Sequence, residues 1–226
     1  MKRTIDILLS IFLLILFSPF LALVAIAVRL SSPGPILYRA VRVGRGGVNF
    51  RMLKFRTMFV GADRMGPGIT ARADPRVTPL GRFLRATKLD ELPQLLNVLK
   101  GDMALIGPRA ESPQFIMYYT PDQLRLLTVS PGMTGPGQIH YTRDQQDQLV
   151  DSASAEEFYV KELLAKKLQM DLEYVERPSL LVDLKILAWT AVVVTRGVLH
   201  GVSGLGRRAE PLVQDVSRQR GSAGKD

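Results

Sequence analysis

A chain of 226 residues, 46% of them apolar, is long enough for one medium domain with appendages and a real core. A net charge of +9 and a pI near 10.0 call for an anionic partner, whether nucleic acid, acidic lipid or a phosphorylated substrate. No helix-turn-helix signature, zinc spacing or aromatic stacking motif supports nucleic acid. The lack of cysteine excludes disulfides and thiol catalysis and fits a reducing, cytosol-facing site.

Ile7 to Val28 is an apolar run long enough to cross a bilayer, for which roughly 20 residues suffice. It is too long for the apolar region of a signal peptide, and Arg29 and Ser31-Ser32-Pro33-Gly34-Pro35 follow it instead of a small-residue cleavage site. Ser18-Pro19 sits mid-run, and a proline there removes a backbone donor and crowds the preceding turn, so the helix is expected to bend or break. Lys2 and Arg3 precede the run, and Arg29, Arg39, Arg42 and Arg45 follow it. Both flanks thus carry the charge that favours the cytoplasmic side. A spanning helix and a helix that enters, breaks and returns are both compatible with these residues, and only the second satisfies both flanks.

Ile36 to Val43 and Val48 to Phe55 are predicted strands around the turn Gly44-Arg45-Gly46-Gly47, a hairpin leading into Lys54-Phe55-Arg56-Thr57-Met58. Its glycines match neither a P-loop nor a dinucleotide fingerprint. Gly61 to Pro79 is expected to be a mobile surface loop. Leu80 to Leu89 is a predicted helix carrying Arg82, Arg85 and Lys88. A second helix follows from about Glu91 to Leu99, with Leu92, Leu95, Leu96 and Leu99 as its buried stripe. Asp90 fits its N-cap, Pro93 its first turn, and Gly101-Asp102 its end.

Met103 to Ile106 is a candidate strand opening into Gly107-Pro108-Arg109-Ala110-Glu111, and Ser112-Pro113 and Thr120-Pro121 each open a short helix. Ser130 to Gly137, rich in glycine and proline, is expected to be a shaped loop without regular structure. Ser154-x-x-Glu157 matches a capping box opening a helix to about Glu176. Pro178-Ser179 then restarts the chain into a helix to about Leu199, apolar apart from Asp183, Lys185 and Arg196. It fits a core helix or one lying on a membrane surface. Residues 200–226 are expected to be a basic disordered tail.

Asp90-Glu91 admits two readings. Asp90 could cap a helix while Glu91 complements its dipole. Alternatively, a carboxylate held ionised at a helix N-terminus is an available nucleophile, the amide dipoles there attract phosphate, and two carboxylates can share a divalent cation with a diphosphate. Arg109 follows Gly107-Pro108, a rigid turn that would aim it. His140 has no partner at metal-ligand spacing, so a zinc site is not expected.

These blocks together resemble the bacterial sugar transferase family, small monotopic phosphoglycosyl transferases acting on polyprenyl phosphate. The matching pieces are Phe17-Ser18-Pro19-Phe20, Lys54-Phe55-Arg56-Thr57-Met58, Leu89-Asp90-Glu91-Leu92-Pro93 running on to Met103, Gly107-Pro108-Arg109, Pro131-Gly132-Met133-Thr134-Gly135, Asp171-Leu172-Glu173-Tyr174-Val175, and Leu181 to Leu187. The resemblance extends in order to about Leu199. It implies an α+β, mostly helical, membrane-associated domain with a small β-hairpin. Residues 1–30 would be a re-entrant helix broken at Ser18-Pro19, and residues 31–199 the catalytic domain.

It also implies a reaction. Asp90 would attack the sugar-bearing phosphate of a UDP-sugar, and undecaprenyl phosphate would then take the phosphosugar from the aspartyl intermediate. Glu91 would bind Mg2+ with Asp90 or deprotonate the lipid phosphate. Lys54, Arg85 and Arg109 match positions that line the phosphate site, and Arg143 is a further substrate contact. The implied place is the cytoplasmic face of the bacterial inner membrane, against anionic lipid, and a homodimer is compatible. The chain departs from the common pattern at Ala110-Glu111, where relatives carry a second proline, and at His140-Tyr141-Thr142-Arg143, where the arginine comes one residue later than usual. A lipid-phosphate glycosyltransferase without a covalent step and a catalytically dead membrane scaffold are the rival readings.

Overall fold

The apolar run folds as one helix, α1 (Lys2–Ser31), in the computed structural model, which describes residues 2–66, 68–70, 74–140 and 155–207. Pro19 lies inside α1, so the break expected at Ser18-Pro19 is not an interruption of the helix. The reason is local. Proline at position 19 leaves the Ile15 carbonyl without its usual amide partner, and the Ser18 hydroxyl donates to that carbonyl at 2.8 Å. Among the described residues α1 is the one helix long and apolar enough to cross a membrane.

Both ends of α1 are fastened to the same body. Arg3 donates to the carbonyls of Val98 and Leu99 at 2.6 and 3.1 Å, and Lys2 pairs with Asp183 at 3.2 Å. At the other end the Arg56 guanidinium donates to the carbonyls of Val28, Ser32 and Pro33, satisfying a helix C-terminus that has no further turn to bond with. Asp6 and Ser10 near one end, and Val24 and Val28 near the other, are buried, while every residue from 15 to 20 is exposed.

The hairpin forms as expected. β1 (Leu37–Val43) pairs antiparallel with β2 (Asn49–Phe55), Leu37 opposite Phe55 and Val43 opposite Asn49. Gly46 and Gly47 turn the chain at φ 71 and 76, a region that disfavours side chains. α2 (Pro79–Thr87) starts on Thr78, whose hydroxyl accepts from the Gly81 amide at 2.9 Å. It ends on Lys88, the one non-glycine with positive φ among the described residues.

That left-handed Lys88 separates the paired acids from the helix before them, α2. Leu89–Glu91 is a 3-10 turn of its own, and α3 (Gln94–Lys100) begins three residues later than expected, preceded by Pro93 with no side-chain cap. Asp90 therefore does not cap α3, and Pro93 at φ −60 sets the helical entry without needing a donor. The stripe also shifts. Leu95 and Val98 are buried beside Gln94 and Asn97, whereas Leu96 faces solvent. Asn97 pins the hairpin to α3, accepting from Leu53 N and donating to Arg51 O, each at 2.9 Å. Gly101, at φ 96, ends α3 as expected.

β3 (Ala104–Ile106) is the expected short strand, and it pairs in parallel with β4 (Gly132–Thr134). Residues 130–137 are thus not wholly irregular, because glycines let two backbones meet. A Cβ on Gly132 would lie 2.1 Å from Gly107 N, and one on Gly135 would lie 2.1 Å from Gly107 O.

Pro113–Ile116 is a helical turn behind Ser112, and Thr120-Pro121 leads into a 3-10 stretch, Gln123–Thr128. Ala155–Phe158, a π-helical turn Tyr159–Leu164 and α4 (Ala165–Glu176) come one after another, the capping Ser154 lying outside the described residues. α5 (Leu180–Arg207) runs past Leu199, so residues 200–207, assigned to a tail by composition, are helical; 208–226 lie outside the described residues. The main core joins Ala40, Met52, Leu95, Val98, Leu105, Ile106, Tyr174 and Ile186, with Leu9, Leu13 and Leu14 of α1 packed against it.

Candidate active site

Three short backbone devices bring distant side chains to one place. The end of β2 presents Lys54, the Lys88 turn presents Asp90 and Glu91, and the turn after β3 presents Arg109. Lys54 Nζ lies 2.9 Å from Glu91 Oε1, and Arg109 reaches the same oxygen at 3.9 Å. Gln138, in the helical turn at 136–140, donates to Glu91 Oε2 at 3.3 Å. Asp90 is as buried as Glu91, yet its Oδ1 has no hydrogen-bond partner among the described residues. Arg85 on α2 is steadied by the Thr57 hydroxyl at 2.8 Å, and its charge acts on Asp90.

The electrostatics split the two carboxyls. Burial disfavours ionisation of both. At Glu91 the attraction of Lys54, Arg109 and Lys88 outweighs burial and holds it well below the usual carboxylate range. At Asp90 burial prevails over Lys54, the charge of Glu91 adds to it, and the pKa is raised. This reverses the expectation that a helix N-terminus keeps Asp90 ionised, since Asp90 sits in a buried 3-10 turn ahead of α3. Burial also lowers Lys54, against the pull of Glu91. Arg109 is raised because Glu91 and Glu111 outweigh its burial.

The donor set suits a hard cation held in part by its ligand. Among the described residues no group of three or more His, Cys, Asp or Glu could hold a metal. Two carboxyls, one with an unpartnered oxygen, fit Mg2+, which binds through one or two carboxylates plus substrate phosphates and water.

Lys54, Arg85, Asp90, Glu91 and Arg109 fall in one cluster, while Arg143 lies outside the described residues. Sequence reasoning missed Gln138, although it stands directly behind the Pro131-to-Gly137 loop. It also assigned no role to Glu111, Tyr159 and Lys167. Glu111 accepts from Tyr159 Oη at 2.6 Å and Lys167 Nζ at 3.4 Å, a buried network beside Arg109. Only the departure from proline at Ala110-Glu111 marked that region.

A family model described as Bacterial sugar transferase matches residues 1–197. The chain belongs to the bacterial sugar transferase family. Among curated relatives of this sugar transferase, the "UDP-glucose:undecaprenyl-phosphate glucose-1-phosphate transferase" of Caulobacter vibrioides is 40% identical over 84% of this chain and 67% of its own length. The Escherichia coli protein of that name is 40% identical over 84% of this chain and 39% of its own. The "UDP-N-acetylgalactosamine-undecaprenyl-phosphate N-acetylgalactosaminephosphotransferase" of Aeromonas hydrophila is 34% identical over 87% of this chain and 44% of its own. The chain therefore spans from about two fifths to two thirds of these relatives.

Proposed function

We propose that this sugar transferase moves a phosphosugar from a UDP-sugar to undecaprenyl phosphate through a covalent intermediate on Asp90, initiating a bacterial surface glycan or glycoconjugate. The relatives' names support the substrates. The observation that carries the mechanism is the buried, unpartnered Asp90 Oδ1 beside Lys54, Arg85 and a fully engaged Glu91. In the first step Asp90 Oδ1 bonds to the sugar-bearing phosphorus, the bond from that phosphorus to the bridging oxygen breaks, and UMP leaves. In the second, an oxygen of undecaprenyl phosphate bonds to the same phosphorus, the aspartyl oxygen–phosphorus bond breaks, and the Asp90 carboxylate returns with undecaprenyl-diphospho-sugar.

The cations have separable duties. Lys54 and Arg109 offset the charge of Glu91 and of the incoming diphosphate, while Arg85 draws Asp90 toward its ionised form. Asp90 and Glu91 would hold Mg2+, which supplies charge neutralisation on the diphosphate. Glu91, kept ionised, is suited to that electrostatic duty and poorly suited to holding a proton at neutral pH. The test is intact mass spectrometry of the purified chain with candidate UDP-sugars and Mg2+. A phosphosugar adduct is expected on the parent and none on Asp90→Asn, and an adduct that persists in that variant refutes the nucleophile.

The same reading makes α1 a re-entrant anchor at the cytoplasmic face, resting on anionic lipid. Its support is that both ends of α1 are bonded to one body while the exposed middle carries Ile15, Leu16, Phe17 and Phe20 around Pro19. α5 adds exposed Leu181, Leu184 and Trp189. Single cysteines near the two ends of α1 are expected to react with an impermeant thiol reagent only from the cytoplasmic side. Labelling of one end solely from outside refutes re-entrance.

A further inference from the structure

The buried carboxyl of Asp171 on α4 takes no part in the chemistry above, yet both its oxygens are committed. Oδ2 accepts from the Arg109 amide at 3.1 Å, and Oδ1 accepts from the Gly137 amide at 3.0 Å. These amides belong to the two loops that converge on Glu91. Arg109 sends its guanidinium to Glu91 Oε1 at 3.9 Å, and Gln138, next to Gly137, donates to Glu91 Oε2 at 3.3 Å. The loops also touch each other, since Gly107 N donates to Thr134 O at 3.0 Å and Gly132 N to Pro108 O at 2.8 Å. A Cβ on Gly137 would come within 3.0 Å of Asp171 Oδ1 and 2.8 Å of Lys167 O, so the close seat on α4 requires glycine.

We propose that Asp171 is a positioning residue for the transfer reaction: by accepting both amides it fixes the two loops that hold Glu91 and aim Arg109 at the phosphates. This rests on the transferase reading. Amide bonds to a carboxylate are charge-assisted and about twice as strong as neutral ones, so one ionised group can order two loops. Protonation takes one oxygen out of service as a good acceptor. Burial raises Asp171 to about 6, against its two amide bonds and Lys167, with Glu111 adding to the rise. The groups facing it are Lys167 and Tyr174 on α4, Arg109 and Glu111 after β3, and Tyr119. The clamp is therefore fully set only above that pH.

The test uses the full chain in nanodiscs. Asp171→Asn keeps the shape and replaces one acceptor by a donor, and kcat/KM is expected to fall on the order of 100-fold, the scale of a small misplacement of catalytic groups. In an Arg109→Ala background the same substitution is expected to cost far less, because its main route of action is already gone. A full second loss of about 100-fold in that background would overturn the positioning role. A readout independent of turnover is the amide resonances of selectively labelled Arg109 and Gly137. They are expected to titrate together near pH 6 in the parent and not in Asp171→Asn. Amides that do not move, or that move apart, overturn the clamp even if the variant is inactive through misfolding. Co-titrating amides in a parent that consumes no UDP-sugar would remove the transferase reading, and with it the catalytic role.

Discussion

Replacing Lys54 by methionine removes the cation at 2.9 Å from Glu91 Oε1, where the two side chains are 17% and 9% exposed. At an effective dielectric of about 20, a contact this close is worth roughly 6 kcal/mol of Coulomb attraction. Relief of the lysine's own burial returns part of that, and Arg109 still faces the same oxygen at 3.9 Å. Truncating one partner of a buried pair costs roughly 3–5 kcal/mol, and the remaining arginine puts this case near about 3. For a chain of this size that is a fall of roughly 6–12 °C in apparent Tm. The assay is thermal unfolding in nanodiscs of the parent, Lys54→Met, Glu91→Gln and the double variant. The double variant should be more stable than Lys54→Met, since it no longer buries an uncompensated carboxylate. An equal loss from Lys54→Met in both backgrounds would refute the pairing.

Two further outcomes are expected. The Asp171 carboxyl titrates at 3.8 ordinarily and at about 6 when folded, so between those values the folded chain binds the proton more tightly. Raising pH through that window should therefore weaken the parent relative to Asp171→Asn, by about 2 kcal/mol between about pH 4.5 and 7, read from their melting curves at those two pH values. A constant difference would show that Asp171 is not raised. Gly81→Ala would put a Cβ 2.0 Å from Thr57 O, a backbone atom that cannot step aside. Loss of roughly 3 kcal/mol or more, or of folded protein altogether, is expected on thermal unfolding. A parental Tm would show that α2 does not approach Thr57 so closely.

Much of the site was legible because its groups are of unusual types for their neighbourhoods. Paired acids in a basic chain, and an arginine behind Gly-Pro, are visible without coordinates. The backbone setting of Asp90 was not. Propensity alone makes an aspartate ahead of an apolar helical stripe a cap, and neither the left-handed Lys88 nor the 3-10 turn that sets Asp90 ahead of α3 has a signature in the residue types. Asp171 lay inside a family block, but on a helix with regular spacing nothing distinguishes an inward clamp from a surface acid. The helical 200–207 were misjudged because Gly, Ser and Arg signal disorder only where no neighbouring turn propagates helix into them.

By itself the sequence determined the long apolar helix and its proline, the hairpin, the glycine that ends α3, and the stock of acids and cations. Each arises from local conformational preference or from hydrophobic run length. The tertiary structure alone decided which carboxyl is held ionised and which residues hold the loops. Those outcomes depend on contacts across 37 residues for Lys54 with Glu91, 47 for Gln138 with Glu91 and 62 for Arg109 with Asp171. Desolvation and charge pairing are set by distance in space, and chain position does not encode that until the core has folded.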